Sequence, residues 1–225
     1  MGSGIPSAVI FKSTALSFRV DSLNDVFTIG YGNREFDVFV ALLRRHQIEV
    51  LCDVRSTPYS TRYERYNRET LQQALRESAI KYLFLGGLLG ARPSDPDLYV
   101  GGRASYEAME RSSMYRQGIE RLEAGTELYR VAMMCAEKDP LDCHRAVLIS
   151  RTLVRDGISV QHVGSDGALE PHGNLERRML QHYNYVQTSL FDPLSDSLAL
   201  AEAYQRRGAE LAYNIDAAYR ARASS

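Results

Sequence analysis

Several things are scarce in this sequence, and each scarcity narrows its reading. No apolar run approaches the roughly eighteen residues of a membrane-spanning helix, so a chain that is 44% apolar reads as soluble and globular. Cysteine occurs three times in 225 residues. That odd, small number argues against a disulfide scaffold and for a reducing compartment. Lysine is confined to Lys12, Lys81 and Lys138, so arginine makes up nearly all of the 27 basic residues. Arginine suits bidentate phosphate or carboxylate binding, but GC-rich coding produces the same bias, so only clustered arginines carry functional weight. The opening "MGSGIPSAVIFKSTALSFRV" lacks the basic start and long apolar segment of a secretory signal, which makes the cytoplasm the expected location. A net charge of −1 excludes little, and the chain has no internal repeat.

What is present alternates. Apolar, β-branched runs at 26–30, 49–54, 81–85, 128–136 and 159–164 read as buried strands. Between them, "REFDVFVALLRRHQ", "NRETLQQALRESA" and the stretches 104–124, 140–156 and 175–183 read as helices, with a last helix near the C-terminus interrupted at Gly208. The pattern predicts an α/β fold: a mainly parallel sheet of about five strands with helices on both faces, Rossmann-like or related. One domain over 26–183 is expected, with an N-terminal extension over 1–25 and a C-terminal tail over 184–225.

In open parallel sheets, loops and helix N-termini converge beyond the carboxyl ends of the strands. Here those segments are "GYGNRE", "DVRSTPYS", "GGLLG", "CAEKDPLDCHR" and "GSDGALEPHG", rich in charge and glycine. The first two imitate a dinucleotide fingerprint, with Gly30 and Gly32 before a helix and Asp53 ending the next strand, but Glu35 stands where the third glycine belongs. A nucleotide cofactor is therefore only an alternative. Strand alternation puts Asp53 and Arg55 on one side, where they either pair with each other or share a ligand. Arg62 and Arg65 interleave with Tyr63 and Tyr66, cations for phosphate and rings for unpaired bases, which marks a nucleic-acid surface. A solvated loop is the plainer reading of the same residues.

In "CAEKDPLDCHRAV", Asp139 and Pro140 form a helix start and put Cys143 in the first turn. A thiol there can have a lowered pKa, to which His144 and Arg145 would add. The spacing argues against zinc: the two cysteines are eight residues apart without a CxxC, and helix phase turns His144 about 100° from Cys143. No metal is expected. Cys143 shares a helical stripe with Val147, Ser150 and Val154, so a buried structural thiol is the first reading and a nucleophile the second.

Taken together, "FTIGYGNREFDVFVALLRRHQIEVLCDVRSTPYS", "IKYLFLGGLLGARP" and "CAEKDPLDCHRAVLISRTLVRDGISVQHVG" resemble the family called domain of unknown function 488, over about residues 26–180. Gly86, Gly87 and Gly90 are shifted relative to the family's usual third motif. The resemblance implies an architecture but no reaction. It also implies that Asn33, Arg34, Asp53, Arg55, Glu137, Cys143, His144 and Arg145 hold motif positions. A shorter segment, "QTSLF", resembles the pentapeptide by which bacterial repair and replication proteins dock on the DNA sliding clamp. There Gln187 would be the anchor, and Leu190 and Phe191 would fill an apolar pocket.

The function expected is an enzyme acting on nucleic acid or a nucleotide in DNA repair or maintenance. Asp53 or Glu137 would be its acid or base, and His144 a proton carrier or a phosphate ligand. Asn33, Arg34, Arg55, Lys138, Arg145 and His172 would hold an anionic substrate. The alternatives are a non-catalytic adaptor for nucleic acid and the clamp, and a thiol-dependent enzyme built on Cys143. The expected partners are nucleic acid and the clamp, with no membrane, no named cofactor and an open oligomeric state.

Overall fold

The computed structural model describes residues 25–185 and 193–216. Residues 1–24, and with them nearly all of the expected N-terminal extension, lie outside these, as do Gln187, Leu190 and Phe191. The strands are β1 (Val26–Gly30), β2 (Val50–Asp53), β3 (Lys81–Phe84), β4 (Tyr99–Val100), β5 (Arg103–Ala104), β6 (Val131–Cys135), β7 (Val160–Val163) and β8 (Leu169–Pro171). The helices are α1 (Phe36–Arg45), α2 (Arg68–Glu77), α3 (Gly86–Leu89), α4 (Tyr106–Arg111), α5 (Ser113–Thr126), α6 (Arg151–Arg155), α7 (His172–His182) and α8 (Pro193–Leu211). A π-helical stretch, Arg145–Ser150, runs directly into α6.

The main sheet has the order β3-β2-β6-β1-β7-β8, in which only β8 is antiparallel. The central strands β1 and β6 are buried at every residue, as a parallel sheet covered on both faces requires. On one face Val26, Val50, Cys52 and Met133 pack against Ile119 and Leu122 of α5 and Leu148 and Leu153 of the 145–155 helix. On the other, Phe27, Ile29, Leu51 and Met134 pack against Phe39 and Leu43 of α1 and Leu71 and Leu75 of α2. A smaller cluster, including Val147, Leu175, Met179 and Tyr204, joins α7 and α8 to the outside of the 145–155 helix.

The α/β expectation holds, with differences that have local causes. The helix expected over 104–124 breaks at Ser112, whose extended backbone starts α5 and whose hydroxyl accepts from Tyr115 N. The chain between α3 and α4 folds into the β4–β5 hairpin, and β8 adds to the sheet edge. The helix α8 runs through Gly208 without interruption. A Cβ there would lie 3.2 Å from the Tyr106 ring, so this glycine serves helix contact rather than helix ending. No helix among the described residues is long and apolar enough to cross a membrane.

Candidate functional site at the end of β6

The chain leaving β6 passes to the face opposite that taken after β1 and β2, because α1 and α2 lie on one side and the 145–155 helix on the other. Connections diverge around the carboxyl end of β6, and such a switch point leaves a crevice suited to ligands. The β1 loop is fastened to this point by Tyr31 N donating to Cys135 O at 3.1 Å and Gly32 N to Ala136 O at 2.7 Å. A Cβ on Gly30 would stand 1.8 Å from the Glu137 carbonyl oxygen, and Gly32 has a φ of +49° beside Lys138. The two glycines therefore serve loop-to-loop contact. The dinucleotide imitation is corrected on topology: β6 lies between β1 and β2, so Gly30 and Asp53 do not end neighbouring strands.

The helix expected from Asp139 onward does not take in Cys143. Pro140–Asp142 form one 3₁₀ turn, Asp139 Oδ1 accepts from Leu141 N, and Cys143 is extended at φ −139°, ψ 139°. The long helix starts after it, with the Cys143 carbonyl accepting from Ala146 N and Val147 N. Helix phase therefore does not separate Cys143 from His144, and the spacing argument against a shared site fails. Ligand atoms of Cys135, Glu137, Cys143 and His144 all lie within 4.8 Å of one another.

Within this cluster, His144 Nδ1 is 3.7 Å from Cys135 Sγ and 3.8 Å from Cys143 Sγ. Its other nitrogen, Nε2, is 3.1 Å from the Val54 carbonyl oxygen, which can only accept. Nε2 therefore carries the hydrogen, and in the neutral ring the Nδ1 lone pair faces the sulfurs. Cys143 Sγ donates to Glu137 Oε2 at 2.8 Å and accepts from Arg145 N at 3.5 Å. Cys135, Cys143 and His144 are buried, whereas Glu137 is an exposed residue whose carboxylate turns in, part-buried, to Cys143, so the cluster meets solvent on the Glu137 side.

The two thiols are driven apart in acidity. The Cys143 thiol falls well below its ordinary value: burial opposes ionisation, but Cys135, the Arg145 cation and His144 outweigh it. The Cys135 thiol is pushed well up by its hydrogen bond to Cys143 and by burial. His144 is raised, its contact with Cys143 outweighing burial, and Glu137 is raised by burial and by Cys143. The Tyr106 hydroxyl is buried without a hydrogen-bond partner among the described residues, and its acidity is weakened by burial first and then by Cys143, Cys135 and Glu137. Sequence reading set Cys135 aside on its spacing from Cys143, although strand alternation puts it on the same side as Glu137, two residues on.

The motif arginines turn inward. Arg34 donates to the carbonyls of Gly30, Ser165 and Gly164 at 3.0, 3.0 and 2.7 Å, tying the β1 loop to the β7–β8 turn. Arg145 is fully buried and donates to the carbonyls of Glu137 and Lys138 at 2.8 and 3.3 Å. Arg55 grips Asp53 through Nε and NH2, the closest contact being 2.6 Å, and Tyr82 donates to the same carboxylate at 2.7 Å. Asp53 is 0% exposed and occupied by these donors, which corrects its expected acid/base role to that of an ion-pair anchor. Arg55 and Arg145 are buried away from any external anion, and the half-buried Arg34 spends its donors on carbonyls. Among the expected anion ligands, Asn33 and Lys138 are the exposed ones.

His172 is corrected in the same way. It is buried in a chain in which Thr28 donates to His162 Nδ1 (2.7 Å), His162 Nε2 meets His172 Nδ1 (2.9 Å), His172 Nε2 meets Tyr204 OH (2.7 Å) and Tyr204 donates to Glu176 (2.8 Å). The carboxylate at one end fixes the direction of every hydrogen in the chain and leaves both imidazoles neutral. In the arginine loop, Arg62 and Arg65 are exposed and Tyr63 is half-buried with its edge on Tyr31. Tyr66, expected at the surface, is 2% exposed and stacked on Tyr31 at 4.3 Å, so it offers no platform to a base.

No curated protein and no solved structure matches the chain. A family model, "Domain of unknown function DUF488", matches residues 35–152, just over half of the chain. The match takes in the DVRS, LGG and CAEKDPLDCHR segments and begins after TIGYGN. With this match over the crevice-forming segments, the chain belongs to the domain of unknown function 488 family.

Proposed function

We propose that this protein is an enzyme acting on nucleic acid or a nucleotide, with its reaction centre at the end of β6. The observation that carries the reading is the convergence of two thiols, an imidazole and one solvent-facing carboxylate at the switch-point crevice. Glu137 is the member open to solvent, so it is assigned to meet the substrate and to carry a proton. The nucleic-acid part of the reading rests on the exposed Arg62 and Arg65, whose loop packs on the β1 loop through Tyr63 and Tyr31 and so borders the crevice. A groove of about 690 Å³ opens between α4, β5 and α8, and its wall includes Tyr106 and Val147, whose amide donates to the Cys143 carbonyl. That groove is the proposed approach for the substrate.

The test is unbiased in substrate. The full chain is incubated with defined single- and double-stranded DNA, RNA and nucleotides, and products are followed by mass. A change that Glu137→Gln abolishes supports the reading; no change in any substrate, or one indifferent to Glu137→Gln, removes it. Work in DNA repair or maintenance, and docking on the sliding clamp through Gln187, Leu190 and Phe191, complete the proposal. Pull-down with the clamp should lose most of its yield in Leu190→Ala/Phe191→Ala, and equal recovery would end that part.

A further inference from the structure

The separations from His144 to the two sulfurs in the β6 cluster fit a shared metal ion, which would take the place of the hydrogen in the 2.8 Å contact of Cys143 with Glu137. Tetrahedral zinc with Zn–S of about 2.3 Å and Zn–N of about 2.0 Å places sulfur and nitrogen about 3.5 Å apart. The separations from His144 Nδ1 to the two sulfurs are 3.7 and 3.8 Å. The surroundings agree with ligation. His144 gives its second nitrogen to the Val54 carbonyl, which fixes the ring and aims the free lone pair at the sulfurs. Cys143 Sγ also receives the Arg145 amide, a contact that favours thiolate.

Charge agrees as well. Arg145 is fully buried, its Nε has no partner, and its guanidinium meets carbonyl oxygens but no carboxylate among the described residues. A buried cation of this kind needs negative charge nearby. Two thiolates, a divalent ion, the Glu137 carboxylate and Arg145 sum to zero, so the whole group can stay ionised inside the protein. A nucleophilic Cys143 fits less well: its residue is 1% exposed, and its histidine is oriented by a backbone carbonyl, with no acid behind it.

We infer that Cys135 Sγ, Cys143 Sγ and His144 Nδ1 bind one zinc(II) ion, with Glu137 on its solvent-facing side. Three protein ligands with one side left open is the arrangement of reactive rather than structural zinc sites. The ion would supply Lewis acidity to a group bound at that side. This deepens the proposed function and rests on its placing of the reaction centre.

The untagged full-length chain, stripped with a chelator and titrated with cobalt(II), should take up one equivalent and develop thiolate-to-cobalt charge-transfer absorption, which one equivalent of zinc(II) bleaches. Cys143→Ser and His144→Gln should each weaken zinc binding by at least about a hundredfold. Cys52→Ala, which removes the remaining thiol, in β2, should bind as the parent does. The parent titration needs no variant, so a variant that fails to fold leaves the test intact. A cobalt complex without thiolate charge transfer, or tight zinc binding that survives Cys143→Ser in folded protein, overturns the inference. Metal-free protein that still changes a nucleic-acid or nucleotide substrate in a Glu137-dependent way overturns the ion's Lewis-acid part, and the titration alone decides the zinc site. Stoichiometric, cysteine-held zinc in a protein that changes none of those substrates upholds the zinc site and removes the proposed function.

Discussion

Replacing His172 by Gln should flatten the acid side of this protein's stability curve. His172 is 3% exposed, and burial lowers its pKa from 6.5 to about 4. His162 is held well below its ordinary value too, by burial first and then by His172, Arg145 and Arg178. The folded state holds both rings neutral, since each ring nitrogen is either donating or accepting along the chain from Thr28 to Glu176. The unfolded chain takes up the His172 proton near pH 6.5, and the folded one only near pH 4. Stability from this ring is therefore complete above about pH 6.5, falls as pH drops through the interval, and falls no further below about pH 4. At about 1.4 kcal/mol per pH unit, the loss across the interval is about 3 kcal/mol from His172 alone. Urea unfolding at closely spaced pH values from 7.5 to about 4.5 measures it, and the difference between parent and His172→Gln removes the contribution of carboxylates. The reasoning fails if the parent's stability is level between pH 6.5 and 4.5, or if the variant keeps the parent's slope.

Three further outcomes follow from particular contacts. Asp53→Ala should cost about 3–5 kcal/mol in chemical denaturation, because it leaves the Arg55 guanidinium buried without its counter-charge; a loss below about 1 kcal/mol would show the pair to be dispensable. Gly30→Ala should cost about 1–3 kcal/mol or more, since its Cβ meets backbone at Glu137. The same change should disturb Glu137, so a variant of parental stability and function would refute the close approach. Arg62→Ala/Arg65→Ala should leave stability within about 0.5 kcal/mol while weakening nucleic-acid binding and flattening its salt dependence, and unaltered binding would take the loop out of the proposal.

The large elements were legible because burial on both faces writes continuous apolar strands and amphipathic helices into the chain. The strand at Val26–Gly30 matches expectation for that reason, and Val131–Cys135 lies inside the longer run 128–136 expected for it. The strand order was not legible: nothing local says that β6 inserts between β1 and β2, yet that insertion removes the dinucleotide reading and creates the crevice. The two-residue hairpin strands and β8 were missed because they are too short for periodicity to register. At the site, residue types were readable but directions were not. Arginines that look like phosphate ligands spend their donors on carbonyls of the strand-end loops. Treating 140–156 as one helix turned His144 away from Cys143, whereas the extended backbone at Cys143 brings both side chains onto Cys135. Cys143→Ser and Cys135→Ser are therefore more informative substitutions than any change at Asp53.

The outermost strands of the sheet bear on how the molecule behaves in a crowd. β3 has four residues and opens on Lys81, and β8 has three, ends in Pro171 and runs against the direction of the rest. Short borders with a lysine or a proline give a neighbouring chain little backbone to pair with, so the sheet is guarded against lateral growth and strand exchange. A parallel sheet of this kind forms slowly and exposes its borders while it does so. Those guards therefore matter most during synthesis, when unfinished copies meet one another.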